Sequence, residues 1–575
     1  MDPLRVPSTV GSGHPQEELL ADPISHYREN ACHNTTLRSL IYPMLSKKVA
    51  AAVAGILTAG LAAVVPLSAP AAVGESPVAA AAQQAPAISW GRCKDPDLRK
   101  AKAQCGTLVV PLDHADPTGP TVSLAVSRVL HTRGPFRGAV FTNPGGPGSD
   151  GTWLAPYGKY VPRKIGLTYD WYGVDPRGTG ASRPLLTCDK SYFGWDRPDY
   201  VPTSPKIMKY WRHTTEKYAK DCGRSKAKRL LGHVRTTDTA TDFDLLRQAI
   251  GVDKVTFFGF SYGTYLAQVY ATLFPDHVQA LIMDGVIDPD RVFYQSNLDQ
   301  DPAFQKSFNA FLAWVGKYPK TYHLGRGRKA VERTYEHLRA RLKRHPAGGK
   351  VGPDELDDAL LNAGYYNGYY PYVADALASL VNDGNPAGIK ELYRSSNPVG
   401  KAADNSFAMY LAVQCTDAVW PKSWKKWRND SRRLDRKAPF LTWANNWFNA
   451  PCRTWPVAGK SRVDVTAAGL DDVPVLLLSE THDPATPYAG ALAVRKLFPS
   501  ARLVAGVGGY SHAVSLSGVA CTDNAIAAVL RDGSLPARKA GNRADKECRP
   551  LAPPTPPKEK DARTAPLQLR SWWSR

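Results

Sequence analysis

The sequence predicts an α/β protein: a mostly parallel sheet covered on both faces, interrupted by a large helical insertion. Three observations predict it. Short apolar runs recur along the chain at 107–112, 121–129, 138–142, 170–175, 254–260, 278–283, 473–479 and 501–507. Helix-compatible stretches separate the later runs, the pattern of strands buried on both sides. Residues 290–470 lose this rhythm and carry amphipathic helical segments instead, such as 327–345 and 354–363.

The elements follow in order. Residues 107–112 form a short β-rich run, and 121–129 alternate loosely between apolar and polar side chains. The run 138–142 ends in Asn143-Pro144, which stops a strand. A helix is expected over 236–250, opened by Thr and Asp residues suited to capping and closed at Gly251. The insertion 290–470 holds Trp314, Trp420, Trp424, Trp427, Trp443, Trp447 and Trp455. It also holds a cluster of Tyr365, Tyr366, Tyr369, Tyr370 and Tyr372. These aromatics read as packing inside a helical cap, with a few lining a pocket. The domain plan is then a sheet core in two parts, 93–289 and 471–548, with the cap 290–470 between them and a disordered tail at 549–575, rich in Pro and charge.

The N-terminal region reads as a targeting signal. Met44, Lys47 and Lys48 precede an uncharged apolar stretch from Val49 to Val65, and Ala69, Ala71 and Ala72 offer a cleavage site. Residues 44–72 therefore read as a signal peptide, with a retained membrane anchor as the alternative. Residues 1–43 read as upstream sequence before the true start at Met44, and 73–92 as a short pro-segment or linker. The product is expected to be secreted, with no stable membrane anchor after cleavage.

Composition sharpens this. The chain has 575 residues, 43% of them hydrophobic, which excludes wholesale disorder. Its formal net charge of +21 invites a nucleic-acid partner. Basic and acidic residues balance within 1–92, however, so the excess lies beyond and is spread over surface-like stretches such as 206–229 and 422–437. No zinc-finger spacing or RNA-binding aromatic motif accompanies it, so no specific nucleic-acid partner is expected. Of nine cysteines, Cys32 lies in the leader; Cys93, Cys105, Cys188, Cys222, Cys415, Cys452, Cys521 and Cys548 remain. No C-x-x-C pair suggests zinc, and an exported chain favours disulfides. Joining sequence neighbours gives 93–105, 188–222, 415–452 and 521–548, with some buried thiols as the alternative. No H-E-x-x-H or other ligand cluster appears, and no metal or cofactor is expected.

The chemistry centres on Gly259-Phe260-Ser261-Tyr262-Gly263, which follows an apolar strand and opens a helix-compatible run. Glycines at both ends permit a tight strand-to-helix turn that lifts a serine hydroxyl out of the sheet. A serine nucleophile needs a base, and the base an orienting acid. In α/β-hydrolases these follow the serine as acid, then histidine, each after a later strand. Asp483 follows the run 473–479, and His512 follows 501–507 and the pair Gly508-Gly509. Ser261, Asp483 and His512 are thus the candidate triad. Glu480 is the rival acid, and His482 comes too early in chain order to be the favoured base. The glycines of Asn143-Pro144-Gly145-Gly146-Pro147-Gly148 let backbone N–H groups approach a reacting carbonyl. The N–H groups of Tyr262 and Gly146 are the candidate oxyanion donors, a plain Gly/Pro turn being the alternative for the second.

Together with Asp175-Pro176-Arg177-Gly178-Thr179-Gly180-Ala181-Ser182 and Asp483-Pro484-Ala485-Thr486-Pro487-Tyr488, these motifs resemble the secreted tripeptidyl aminopeptidase family. That family lies in the proline-iminopeptidase-like branch of the α/β-hydrolases. Cap segments Asn297-Leu298-Asp299-Gln300-Asp301, Gln414-Cys415-Thr416-Asp417 and Thr442-Trp443-Ala444-Asn445 extend the resemblance from about 90 to 548. It implies an α/β-hydrolase fold with a helical cap, export, and serine-dependent release of short peptides, tripeptides among them, from free N-termini. The number of residues released per cleavage is left open. Two departures stand out: Gln414 stands where the family often carries Glu, and His482 is an extra residue before Asp483. With Gln at 414, Asp417 becomes the local candidate to bind a substrate ammonium, or it merely orders the cap. The alternative function on the same triad is a secreted esterase or amidase acting on small molecules.

Overall fold

A computed structural model describes residues 87–556. The expected upstream segment 1–43, the signal peptide 44–72, most of 73–92 and residues 557–575 lie outside the described residues.

The core is a ten-stranded sheet. Its strands are β1 (Gly91–Arg92), β2 (Gln104–Pro111), β3 (Thr121–Val129), β4 (Ala139–Asn143), β5 (Asp170–Asp175), β6 (Val255–Phe260), β7 (Val278–Asp284), β8 (Val475–Glu480), β9 (Ala501–Gly506) and β10 (Lys546–Cys548). They lie in the order β1-β2-β3-β5-β4-β6-β7-β8-β9-β10. The β1–β2, β2–β3 and β3–β5 pairs are antiparallel, and every pair from β5 to β10 is parallel. Each apolar run read from the sequence is a strand, shifted at its ends by at most a few residues. The two strands missed, β1 and β10, are too short to show a period.

Alternation along the central strands explains why they read as continuous apolar runs. Phe141, Phe257, Leu281, Leu477 and Leu503 enter one hydrophobic cluster. Val140, Phe258, Ile282, Leu476 and Val504 enter another on the opposite face. Successive side chains point to opposite faces and both faces are covered, so both sets must be apolar.

The strand order reverses around β4, which lies between β5 and β6. At such a switch point the connections leave towards opposite sides and open a crevice at the strands' C-terminal ends. The loop after β4 and the turn after β6 meet there, with Asn143 in register with Gly259. Nearby, the buried Arg177 guanidinium is held by Asp242 at 2.6 and 2.7 Å. Asp175 accepts the N–H groups of Gly151, Thr152 and Ala181, which ties the glycine-rich loop to β5.

Between β7 and β8 the chain is helical: Tyr294–Val315, Arg328–Arg344, Pro353–Tyr365, Tyr370–Asn382, Ala387–Ser396, Lys401–Asp417, Trp424–Asp435 and Thr442–Asn449 are the longer helices. The helices up to Ser396 build their own cluster around Phe304, Phe311, Leu356 and Leu377. From Phe407 onwards most of the apolar residues join the cluster beneath the sheet, including Trp427, Trp443 and Trp447, while Phe440 and Leu441 join the cap's own cluster.

The disulfides join Cys93–Cys105, Cys188–Cys222, Cys415–Cys452 and Cys521–Cys548, the neighbouring pairs. At the ends the structure differs from expectation. Residues 87–92, expected within a short pro-segment or linker, pack Ile88 and Trp90 onto the core. Residues 549–556, assigned to a disordered tail, are held by hydrogen bonds: Leu551 N–H donates to Glu480, Asn367 Nδ2 donates to Leu551 O, and Trp314 Nε1 donates to Pro554 O. Composition marks this stretch as unable to form a core, but not as unable to bind along one. Among the described residues no helix is long and apolar enough to cross a membrane.

Candidate active site

Ser261 follows β6 directly and precedes the helix Tyr262–Leu273. Its backbone sits at φ 54° and ψ −123°, a strained conformation for a residue with a side chain. Its N–H donates to Asp284 O at 2.9 Å, and its carbonyl accepts from Thr264 N at 2.8 Å. The flanking glycines are required by close approach. A Cβ at Gly259 would lie 2.2 Å from Gly263 O, and one at Gly263 would lie 2.5 Å from Asn143 O. The loop after β4 presses equally hard: a Cβ at Gly145 would meet Phe260 O at 2.4 Å and Tyr262 N at 3.0 Å.

Asp483 lies in the turn after β8 and is buried. Its carboxylate accepts from Ala485 N and Thr486 N at 2.9 Å and from Thr486 Oγ1 at 3.0 Å. His512 Nδ1 stands 2.9 and 3.0 Å from its two oxygens. The His512 main-chain N–H donates to Tyr365 O at 2.8 Å, which ties the histidine loop to the cap. Ser261 and His512 line one small pocket together.

The two rivals are placed elsewhere. Glu480 accepts Ser511 N at 2.6 Å and Leu551 N at 2.8 Å. Burial pushes its carboxyl up to about 7, opposed by those two N–H groups and reinforced by Asp483 and Asp284. Its oxygens are spent on the backbone beside His512. His482 contacts Lys306 Nζ at 2.9 Å at the edge of the cap, and partial burial followed by that ammonium lowers its pKa.

A cavity of about 870 Å³ opens beside Ser261, lined by Gly146 and Ser149 from the core and by Phe407, Gln414, Asn445 and Phe448 from the cap. The candidate oxyanion donors flank it: Gly146 lines the wall, and Tyr262 begins the helix after the serine. Among the described residues Asp417 does not line the cavity. It is 1% exposed and accepts from the main-chain N–H of Thr236 at 2.8 Å and from its hydroxyl. Burial raises its carboxyl to about 6. That carboxylate orders the start of the helix Thr236–Ala249, so the ammonium-binding task expected of it is a correction: the group is turned into the core. Gln414 does line the cavity, and its Oε1 accepts from Asn297 Nδ2 at 3.0 Å.

Sequence reasoning missed Asp284, the last residue of β7. Its main-chain oxygen holds Ser261 N, and its Oδ2 accepts Ser515 N at 2.6 Å and the Ser515 hydroxyl. One residue thus joins the serine turn to the histidine loop. Burial raises its carboxyl to about 6, with Ser515 and His512 opposing. The available signal was an acid closing an apolar strand just before a glycine: a Cβ at Gly285 would lie 2.7 Å from His512 Cε1. Among the described residues no group of three His, Cys, Asp or Glu side chains is arranged to hold a metal ion.

A strained serine between a strand and a helix, with a buried Asp–His pair in the loops after later strands of the same sheet, marks a serine hydrolase of the α/β class. A family profile for the alpha/beta hydrolase fold matches residues 138–517, and the chain belongs to that family. Its relatives within that family include serine peptidases. It is 38% identical to the tripeptidyl aminopeptidase of Streptomyces coelicolor, over 83% of this chain and 89% of that protein. It is 31% identical to the serine protease Hip1 of Mycobacterium tuberculosis, over 78% of this chain and 89% of that one. A further relative is carboxylesterase B of M. tuberculosis, 32% identical over 84% of this chain and 95% of that protein.

Proposed function

We propose that this chain is an exported serine exopeptidase that releases short peptides, tripeptides foremost, from the free N-termini of peptide substrates. The observation that carries the reading is the serine on its strained turn, sharing a pocket wall with a histidine bound to a buried carboxylate, beside a cavity of about 870 Å³. Ser261 Oγ attacks the scissile carbonyl, and His512 takes its proton. The N–H groups of Tyr262 and Gly146 receive the charge that develops on the carbonyl oxygen. His512 then returns the proton to the leaving amine, and water repeats the sequence on the acyl-enzyme. Asp483 keeps the imidazole oriented and stabilises its cationic form.

The tripeptidyl aminopeptidase relative supports the substrate class, and four disulfides support an oxidising compartment. A second reading, an esterase or amidase on small molecules, is favoured by the carboxylesterase relative. Chromogenic peptides with one to four residues before the chromophore, each with a free and an acetylated N-terminus, separate the two. The proposal expects three-residue, free-amine substrates to be fastest; equal rates on blocked substrates would favour the second reading. Ser261→Ala is expected to lose roughly 10⁶-fold in kcat and all fluorophosphonate labelling. Labelling that persists in this variant would remove Ser261 as the nucleophile.

A further inference from the structure

Two spaces meet at Ser261. The larger is the 870 Å³ cavity, which also has Gly146 in its wall. The smaller, about 40 Å³, is lined by Ser261, His512, Trp153, Tyr366, Tyr369 and Ser517 among others. Among the described residues, His512 lines the smaller space and not the larger.

The chemistry assigns a direction to this asymmetry. The imidazole that takes the serine proton must hand it to the departing nitrogen, so the leaving group lies on the histidine's side. The acyl group stays on Ser261 and extends away from it. We propose that the smaller pocket binds the first residue beyond the scissile bond and selects small, uncharged side chains there, while the larger cavity holds the residues to be released. This assignment rests on the acyl-enzyme mechanism proposed above and adds the leaving-group side to it.

Three features fit. At about 40 Å³ against about 870 Å³, this pocket is much the tighter of the two spaces, which favours a small side chain over an indole. The walls are mostly aromatic and carry no Lys, Arg, Asp or Glu. Trp153, Tyr366, Tyr369 and Ser517 are each partly exposed, so the pocket opens outward and a long peptide can continue into solvent. The cap wall is also fixed to the base: Tyr365 O accepts His512 N, and Asn367 N donates to Ser511 Oγ at 3.1 Å. Tyr366 meets the Tyr369 ring edge-on at 5.9 Å. A wall braced this way excludes large residues rather than yielding to them.

The test is acyl transfer. A free-amine tripeptide p-nitrophenyl ester loads Ser261, and the acyl-enzyme partitions between water and an added acceptor: Ala-NH2, Leu-NH2 or Trp-NH2. The expected result is capture by Ala-NH2 at least tenfold more efficient than by Trp-NH2. Tyr369→Ala should bring the two within about threefold by raising Trp-NH2 capture, and Tyr369→Phe should keep the original preference. Ser517→Phe, which fills the pocket from the core side, should lower capture of every acceptor relative to hydrolysis. Fluorophosphonate labelling verifies that each variant is folded. Equal capture of Ala-NH2 and Trp-NH2 overturns the assignment. So does a preference that Tyr369→Ala leaves untouched while Phe448→Ala, in the larger cavity, shifts it. Discrimination from the ester donor without cleavage of any peptide would sustain the pocket and defeat the peptidase reading. Failure of the ester donor to acylate Ser261 would defeat both.

Discussion

The helices over the active site fall into two halves that are held in different ways. The first, from Tyr294 to Ser396, has its own apolar cluster. It meets the rest of the protein through apolar contacts with Phe440, Leu441 and Ala485 and through polar clamps. Arg197 from the core segment is buried among Asp354, Glu355 and Asp358. Asn367 bonds both Ser511 and Leu551. The second half, from Lys401 to Thr454, has no separate cluster: it gives Phe440 and Leu441 to the first half's cluster, while Phe407, Leu411, Trp443 and Trp447 continue the core beneath the sheet, and Cys415–Cys452 closes it. The cavity lies on the seam. Phe304 and Leu441 of the cap's own cluster and Phe407 of the core cluster all line it. Across the seam run Asn297–Gln414 and Asn445–Asp301, each at 3.0 Å. A binding site arises where two packed bodies meet without merging, because polar groups there can face a ligand without breaking either core.

Three perturbations break or sharpen this contrast. The largest effect is expected from Trp447→Ala in the second half. Truncating a fully buried indole in the shared core should cost about 4 kcal/mol, and urea melts followed by tryptophan fluorescence and by activity should shift together. Arg197→Met should cost about 3 kcal/mol by leaving three buried carboxylates without their cation, partly relieved as they take up protons. Hydrogen exchange should then rise within 294–396 before it rises in the sheet. A uniform rise would show that the first half is not a unit of its own.

The mildest perturbation changes no residue. Burial raises Asp301 on the seam to about 7, against the hydrogen bonds of Asn445 and Thr442. Between its ordinary value of 3.8 and about 7 the folded chain keeps a proton that the unfolded chain has lost. That stability is therefore complete at low pH and is lost as pH rises through 7, at no more than about 1.4 kcal/mol per pH unit. The urea midpoint should fall between pH 5 and 7.5, and Asp301→Asn should flatten the fall. An unaltered slope in that variant would place the proton elsewhere.

What was legible in the sequence was local. The strands of the sheet, the glycines around Ser261 and the neighbouring cysteine pairs all announce themselves within a few tens of residues. The task of Asp417 was not legible. Its neighbours Gln414 and Cys415 suggested a ligand, yet its partner, Thr236, lies in the core and no pattern links the two. Glu480 and Asp483 are three residues apart and chemically alike. One turns to His512 and the other to the backbone of Ser511 and Leu551.

The amino-acid sequence by itself determined the sheet, its order of chemistry-bearing turns and the tight geometry at Ser261, because periodicity, glycine sterics and chain order act over short distances. Only the tertiary structure decided which carboxylate meets the histidine, how the cap divides, and which of two spaces receives each side of a substrate. Those outcomes depend on burial and on hydrogen bonds between residues from 29 to 181 apart in the chain, and such packing leaves no mark in local sequence.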